Sequence, residues 1–114
     1  MKKILLVSAL LAMAGVAQAA DHGEQLYETY CMQCHGVQGH GNGVNAAHMS
    51  VQPRDHTDTK EMAARTDDEL FKVIQQGGKA INKSVLMPMW GGNLSDDDIH
   101  ALVAHLRQLC CGKD

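Results

Sequence analysis

Apolar side chains recur with helical spacing in two stretches of the chain. Leu70, Phe71, Val73 and Ile74 form one stripe, opened by the capping-box pair Thr66 and Glu69 and stopped by Gly77-Gly78. Ile99, Leu102, Val103, Leu106 and Leu109 form the other. It opens at Ser95, with Asp96, Asp97 and Asp98 against the positive end of the helix. A further helix is predicted nearer the amino end. There Asp21 and Glu24 resemble a capping box, with Asp in place of the usual Ser or Thr, and the residues from Gln25 to Tyr30 are helix-compatible. This helix delivers Cys31 at its carboxyl end. From Gly36 to about Thr59 the chain loses any hydrophobic period and gathers Gly39, Gly41, Gly43, Asn42, Asn45 and Pro53, so a long loop is predicted. A second loop runs from about Gly78 to Leu94. No alternating strand pattern, repeat or low-complexity tract interrupts this order, and the fold expected is all-α, with about three main helices and long loops. A loop as long as the first needs a reason in a compact domain, and wrapping one edge of a cofactor is such a reason.

The remaining apolar run, Ile4 to Val16, follows Lys2 and Lys3 and precedes the small-x-small site Ala17-Gln18-Ala19. That order reads as a signal peptide over residues 1–19, cleaved after Ala19. The run is shorter than the roughly 20 residues needed to span a bilayer. No later segment is apolar enough to span, and no Cys follows the cleavage site to be lipidated. The expectation is a soluble, exported, periplasmic product, with residues 20–114 as its single domain.

A domain of this size buries only a modest core. Tyr27, Tyr30, Phe71 and Trp90 are its only aromatic residues, which leaves room for a cofactor in the middle. Removing Lys2 and Lys3 from ten basic residues leaves eight against thirteen acidic ones, a net charge of −5. Nucleic acid and anionic membrane are poor partners for such a chain, whereas a protein with a basic docking patch suits it; an acidic surface also serves solubility alone.

Four cysteines in an exported chain ordinarily suggest two disulfides, but the arrangement here points elsewhere. Cys31-Met32-Gln33-Cys34-His35 has the C-x-x-C-H form of covalent c-type haem attachment. Two intervening residues let both thiols reach the vinyl groups on one porphyrin edge, and the next residue then sits under the iron. Neutral imidazole is a good axial donor when its other ring nitrogen gives its proton to a carbonyl, for which that of Pro53 is the candidate. A redox dithiol would need a βαβ setting, and a zinc site would need a second, spaced ligand pair; neither context is present. The glycines at 39, 41 and 43 lack the Lys-Ser/Thr and the preceding strand of nucleotide-binding loops, and read as turn residues.

Met87 is the leading candidate for the sixth iron ligand, with Met89 and His48 as minor alternatives. Met87 precedes Pro88, which restrains it to an extended conformation on a loop and presents its thioether. Met89 lies close by in sequence, and His48 is the candidate for a bis-histidine site. A methionine or histidine taken alone is more often packing or surface, and Met32, Met49 and Met62 are read as packing residues. His40 stands too near His35 to reach the opposite face, and His100 should point to solvent.

These residues resemble the short monohaem class I cytochromes c, particularly modules similar to the haem subunits of bacterial terminal oxidases. The likeness rests on Gly23 and Tyr27, the attachment motif with Gly36, the three spaced glycines, Pro53-Arg54-Asp55, Met87-Pro88-x-Trp90 and Leu94-Ser95-Asp96. It implies a class I cytochrome c fold with one haem c, thioether attachment at Cys31 and Cys34, and His35 and Met87 as axial ligands. It also implies Trp90 and Pro53 around the haem, and a crossing of the first and last helices near Gly23, with Tyr27 and Leu102 packed beside it. His105 departs from the family, which often has an aromatic residue there.

The function expected is outer-sphere electron transfer between redox partner proteins, with no catalysis. The alternatives are a haem enzyme or a sensor of gas or peroxide with a labile sixth ligand, and a disulfide-bonded module without haem. Cys110 and Cys111 have no role in the family pattern. Their adjacency argues against a bond between them, because the intervening peptide would have to distort. A disulfide-linked dimer through one of them is the expectation, with simple packing as its rival.

Overall fold

The computed structural model describes residues 21–112, and the signal-peptide reading of residues 1–19 lies outside them. The described residues are helical with long loops, as expected, and contain no strand. Helix α1 covers residues 21–30, and after a one-residue break at Cys31 the short α2 runs Met32–His35. Asp21 is itself helical and stands inside α1 rather than capping it. The long loop follows, with one 3-10 turn at Ala46–His48. It is closed by a helix that the sequence pattern does not reveal, α3, Thr59–Ala63. Its cap is Asp58, whose carboxylate accepts from the Glu61 amide at 3.0 Å. Met62 is its one buried residue, and a single apolar position creates no period.

Helix α4, Asp67–Gln76, has both halves of the expected capping box. Thr66 accepts from the Glu69 amide at 3.1 Å, and Glu69 accepts from the Thr66 amide at 2.8 Å. It stops at Gly77, whose backbone (φ 83°, ψ 173°) lies in a region essentially reserved for glycine. Helix α5, Asp96–Cys111, repeats the device with Ser95 and Asp98, each bond being 3.1 Å long. Between α4 and α5 the chain makes 3-10 turns at Gly78–Ile81 and Trp90–Gly92.

The helices pack on a core whose most buried members are Tyr27, Met62, Ile99 and Leu102. Truncating one of these to alanine would cost roughly 2–5 kcal/mol. Helices α1 and α5 cross at Gly23, where an added Cβ would run into the Ala101 carbonyl and approach the His105 Cβ at 3.1 Å. Tyr27 and Leu102 are each 1% exposed, within the core cluster. His105 is buried against Tyr27 with ring centroids 5.0 Å apart, so it serves where an aromatic residue is usual. Arg107 ties three helices together: its guanidinium bonds Asp67 of α4 at 2.7 Å, the Met62 carbonyl of α3 at 2.7 Å and the Arg65 carbonyl.

One sequence expectation fails at the end of α5. Cys110 and Cys111 are joined to each other. Their Cα atoms stand 3.7 Å apart, close to the ordinary trans spacing, and the peptide between them is not cis. With the sulfurs joined, neither remains for a second chain, and the disulfide-linked dimer is not the state of this structure.

Candidate functional site

The attachment motif begins where α1 ends. The Cys31 amide donates to the Tyr27 carbonyl at 2.9 Å, and the amides of Cys34 and His35 turn back to the Cys31 carbonyl at 3.2 and 2.9 Å. This tight turn places Cys31, Cys34 and His35 on the wall of one cavity of about 570 Å³, a size proper to a cofactor site. Gly36 follows with φ 87°, and the glycine loop then folds back over the motif. The amides of Gly41 and Gly43 donate to the carbonyls of His35 and Cys34 at 2.7 and 3.0 Å. A side chain at Gly43 would meet the backbone of Gln33 and Cys34, which is why this loop needs a bare backbone there.

The His35 Nδ1 lies 3.1 Å from the Arg54 carbonyl oxygen. A carbonyl can only accept, so Nδ1 carries the proton and Nε2 keeps its lone pair. The acceptor is therefore the neighbour of the expected Pro53, whose own carbonyl faces Gly41 instead, at 2.6 Å from where a Cβ would stand. Pro53 still lines the cavity. Burial holds the His35 imidazole below its ordinary pKa; the Arg54 carbonyl opposes this and the Arg54 charge adds to it. The ring is thus neutral, the form that ligates a metal.

Of the three candidates for the sixth ligand, Met87 alone lines the cavity. Met89 is 72% exposed, and His48 is exposed on the 3-10 turn. Met87 is held by its backbone: its carbonyl accepts from the Gly78 amide at 3.1 Å, and Pro88 fixes the following turn. Trp90 also lines the cavity and packs on Tyr30 at 5.0 Å.

Two residues gain importance that their sequence positions do not signal. Met49, read as packing, lines the same cavity. His56 stacks on His35 and is 8% exposed, and its Nδ1 is buried without a hydrogen-bond partner. Burial, then the nearby His35 and Arg54, pushes the His56 imidazole down to about 3, so it too stays neutral.

The donor set fits a covalently attached haem. Burial, with a smaller contribution from Cys34, pushes the Cys31 thiol up to about 12; a thioether at that place carries no charge and escapes the penalty. The cavity is walled largely by apolar residues such as Leu70, Val73, Ile74 and Leu106. Arg54, Arg65, Lys72 and Lys83 line it together with Asp55, Asp58, Glu61 and Glu69, and Arg54 is paired with Glu61 at 2.9 Å.

The family model for cytochrome c oxidase, cbb3-type, subunit III, matches residues 18–106. No curated protein matches. Among solved structures the chain is similar to the KustC0563 c-type cytochrome, with 24% identity and a TM-score of 0.63 over 77% of this chain and 96% of that one. It is also similar to a chain of the Kuenenia stuttgartiensis reducing HAO-like protein complex Kustc0457/Kustc0458. There the identity is 24% and the TM-score 0.68, over 82% of this chain and 44% of that one. At these identities the likeness to solved structures shows the fold, the all-α fold of c-type cytochromes.

Proposed function

Because the chain belongs to the family of cytochrome c oxidase, cbb3-type, subunit III, we propose that it is a periplasmic carrier of single electrons with His35 and Met87 as axial iron ligands. Membership brings one covalently bound haem c and haem-based electron transfer in general. The finer reading is supported by one observation above others: His35, Met87, Cys31 and Cys34 all face the same largely apolar cavity.

Bound there, the haem supplies a one-electron couple at its iron. The protein's residues do the rest. Cys31 and Cys34 would hold the group through thioethers. The Arg54 carbonyl holds the His35 tautomer and, by accepting its proton partway, strengthens the ring as a donor. Met87, a neutral sulfur, would as a ligand favour the reduced iron and raise its potential. The apolar walls exclude water and so limit rearrangement on electron transfer. If His35 and Met87 both held the iron, no place on it would be left for a substrate, which would separate a carrier from an enzyme or sensor.

The net charge of −5 expected after removal of the signal peptide favours redox partners with basic docking patches. Among the described residues no helix is long and apolar enough to cross a membrane.

The test is the visible spectrum of the mature holoprotein, oxidised and reduced. A low-spin six-coordinate haem in both states is expected, with a sulfur-to-iron band when oxidised. A high-spin oxidised spectrum would overturn the carrier reading in favour of a labile sixth place. Cell fractionation followed by haem staining tests the location, and a stained band confined to the cytoplasm would refute it.

A further inference from the structure

We propose that Cys110–Cys111 is a two-electron thiol–disulfide exchange site, separate from the cavity, which accepts a dithiol donor through the sulfur of Cys111. Cys31 and Cys34 line the cavity and belong to haem attachment, so this pair is the sulfur chemistry the electron carrier leaves unused.

The two sulfurs are bonded but unlike in their surroundings. Cys110 is 8% exposed and belongs to the core cluster, whereas Cys111 is exposed on the last turn of α5. Exchange requires a thiolate to approach one sulfur of the bond from outside, and Cys111 is the sulfur that permits it. Cys110 is built as the leaving group. Its Sγ lies 3.6 Å from the Arg107 carbonyl oxygen, an acceptor ready for the S–H that release creates. Its backbone stays tied, since the Thr59 hydroxyl donates to the Cys110 carbonyl at 2.8 Å. Opening the bond therefore loosens Cys111 and leaves Cys110 in place.

The reaction balances with a dithiol protein as reductant. One donor thiolate attacks the Cys111 Sγ, the bond between Cys111 and Cys110 breaks, and the Cys110 sulfur leaves and takes a proton. The second donor thiol then attacks the mixed disulfide and releases Cys111 as a thiol. The donor ends as a disulfide, having given two electrons and two protons. No step passes through the cavity, so the proposal stands apart from the axial ligands.

The experiment equilibrates the mature holoprotein in glutathione buffers from oxidised to reduced, traps thiols with iodoacetamide and counts them by intact mass. The expected result is none alkylated at the oxidised end and two at the reduced end, reversibly. A count that does not change between the ends overturns the proposal. The direction of attack is read from the single variants treated with glutathione disulfide. Cys110→Ser should form a glutathione adduct at Cys111 about tenfold or more faster than Cys111→Ser forms one at Cys110. Equal rates would refute the assigned entry sulfur, and the wild-type count still decides the exchange if either variant fails to fold.

Discussion

The His35 ring lies stacked on the His56 ring, with centroids 4.2 Å apart and planes 17° from parallel. His56 is itself anchored, its amide donating to the Gly39 carbonyl at 2.6 Å. One face of the proposed axial ligand is thus held by a second neutral imidazole, and its Nδ1 by the Arg54 carbonyl. His56→Ala should therefore free the His35 plane, shifting the reduction potential and the low-spin g-values, and should destabilise the holoprotein by on the order of 2 kcal/mol. His56→Phe, which keeps a flat ring, should restore the g-values. Redox titration and electron paramagnetic resonance read this out, and an Ala variant with both quantities unchanged would show that the stack is packing alone.

Met87→Ala should abolish the sulfur-to-iron absorption band of the oxidised protein and lower its potential, because the neutral sulfur that favours reduced iron is gone. Met89→Ala should leave the band intact, since that side chain is 72% exposed. Met49 shares the cavity wall and is the informative control. If Met49→Ala removes the band and Met87→Ala does not, the ligand comes from the first loop.

Gly77 couples the end of α4 to the loop that carries Met87. A Cβ there would stand 2.8 Å from the Met87 carbonyl oxygen, on a backbone with φ 83°. Gly77→Ala should cost roughly 1–3 kcal/mol from backbone strain and displace Met87 as well. Thermal unfolding would measure the first effect. A weakened sulfur-to-iron band would report the second, and a variant with native stability and a native band would contradict both.

Cys34→Ser should sharply lower the yield of holoprotein. The cavity it lines lies against core residues Leu70, Ile74, Leu102 and Leu106, so a chain that fails to hold the cofactor leaves these apolar walls without their filling. Haem-stained gels and pyridine spectra quantify the product. Full-length holoprotein as abundant and stable as wild type would count against a structural role for attachment.

The longest helices were legible in sequence because their signals are local. Thr66 with Glu69, Ser95 with Asp98, and Gly77 each act within a few residues of themselves. The haem motif is equally local. Helix α3 was not legible, since Met62 is its only apolar anchor and its cap, Asp58, sits among polar loop residues. The acceptor for His35 is Arg54 and not Pro53 because the direction of a carbonyl is a matter of backbone torsion, which residue type at these positions does not encode. His56 was invisible as a neighbour of His35 because the two meet only after the glycine loop has folded back between them. The Cys110–Cys111 bond is not legible in sequence because whether adjacent sulfurs meet depends on side-chain torsions, which adjacency does not encode.

The Gly23–Ala101 crossing also bears on how the chain reaches its native state. These positions stand 78 residues apart, so docking α1 on α5 closes nearly the whole domain in one long-range contact, the kind that slows folding. With His35 and Met87 on one iron, as proposed, the path between the same two positions shortens to 26 residues, from 23 to 35 and from 87 to 101. A threefold shorter loop lowers the closure entropy by about 1 kcal/mol. The axial pair would then act as a kinetic clasp, and holoprotein lacking the Met87 thioether should refold more slowly than wild type even where its equilibrium stability is little changed.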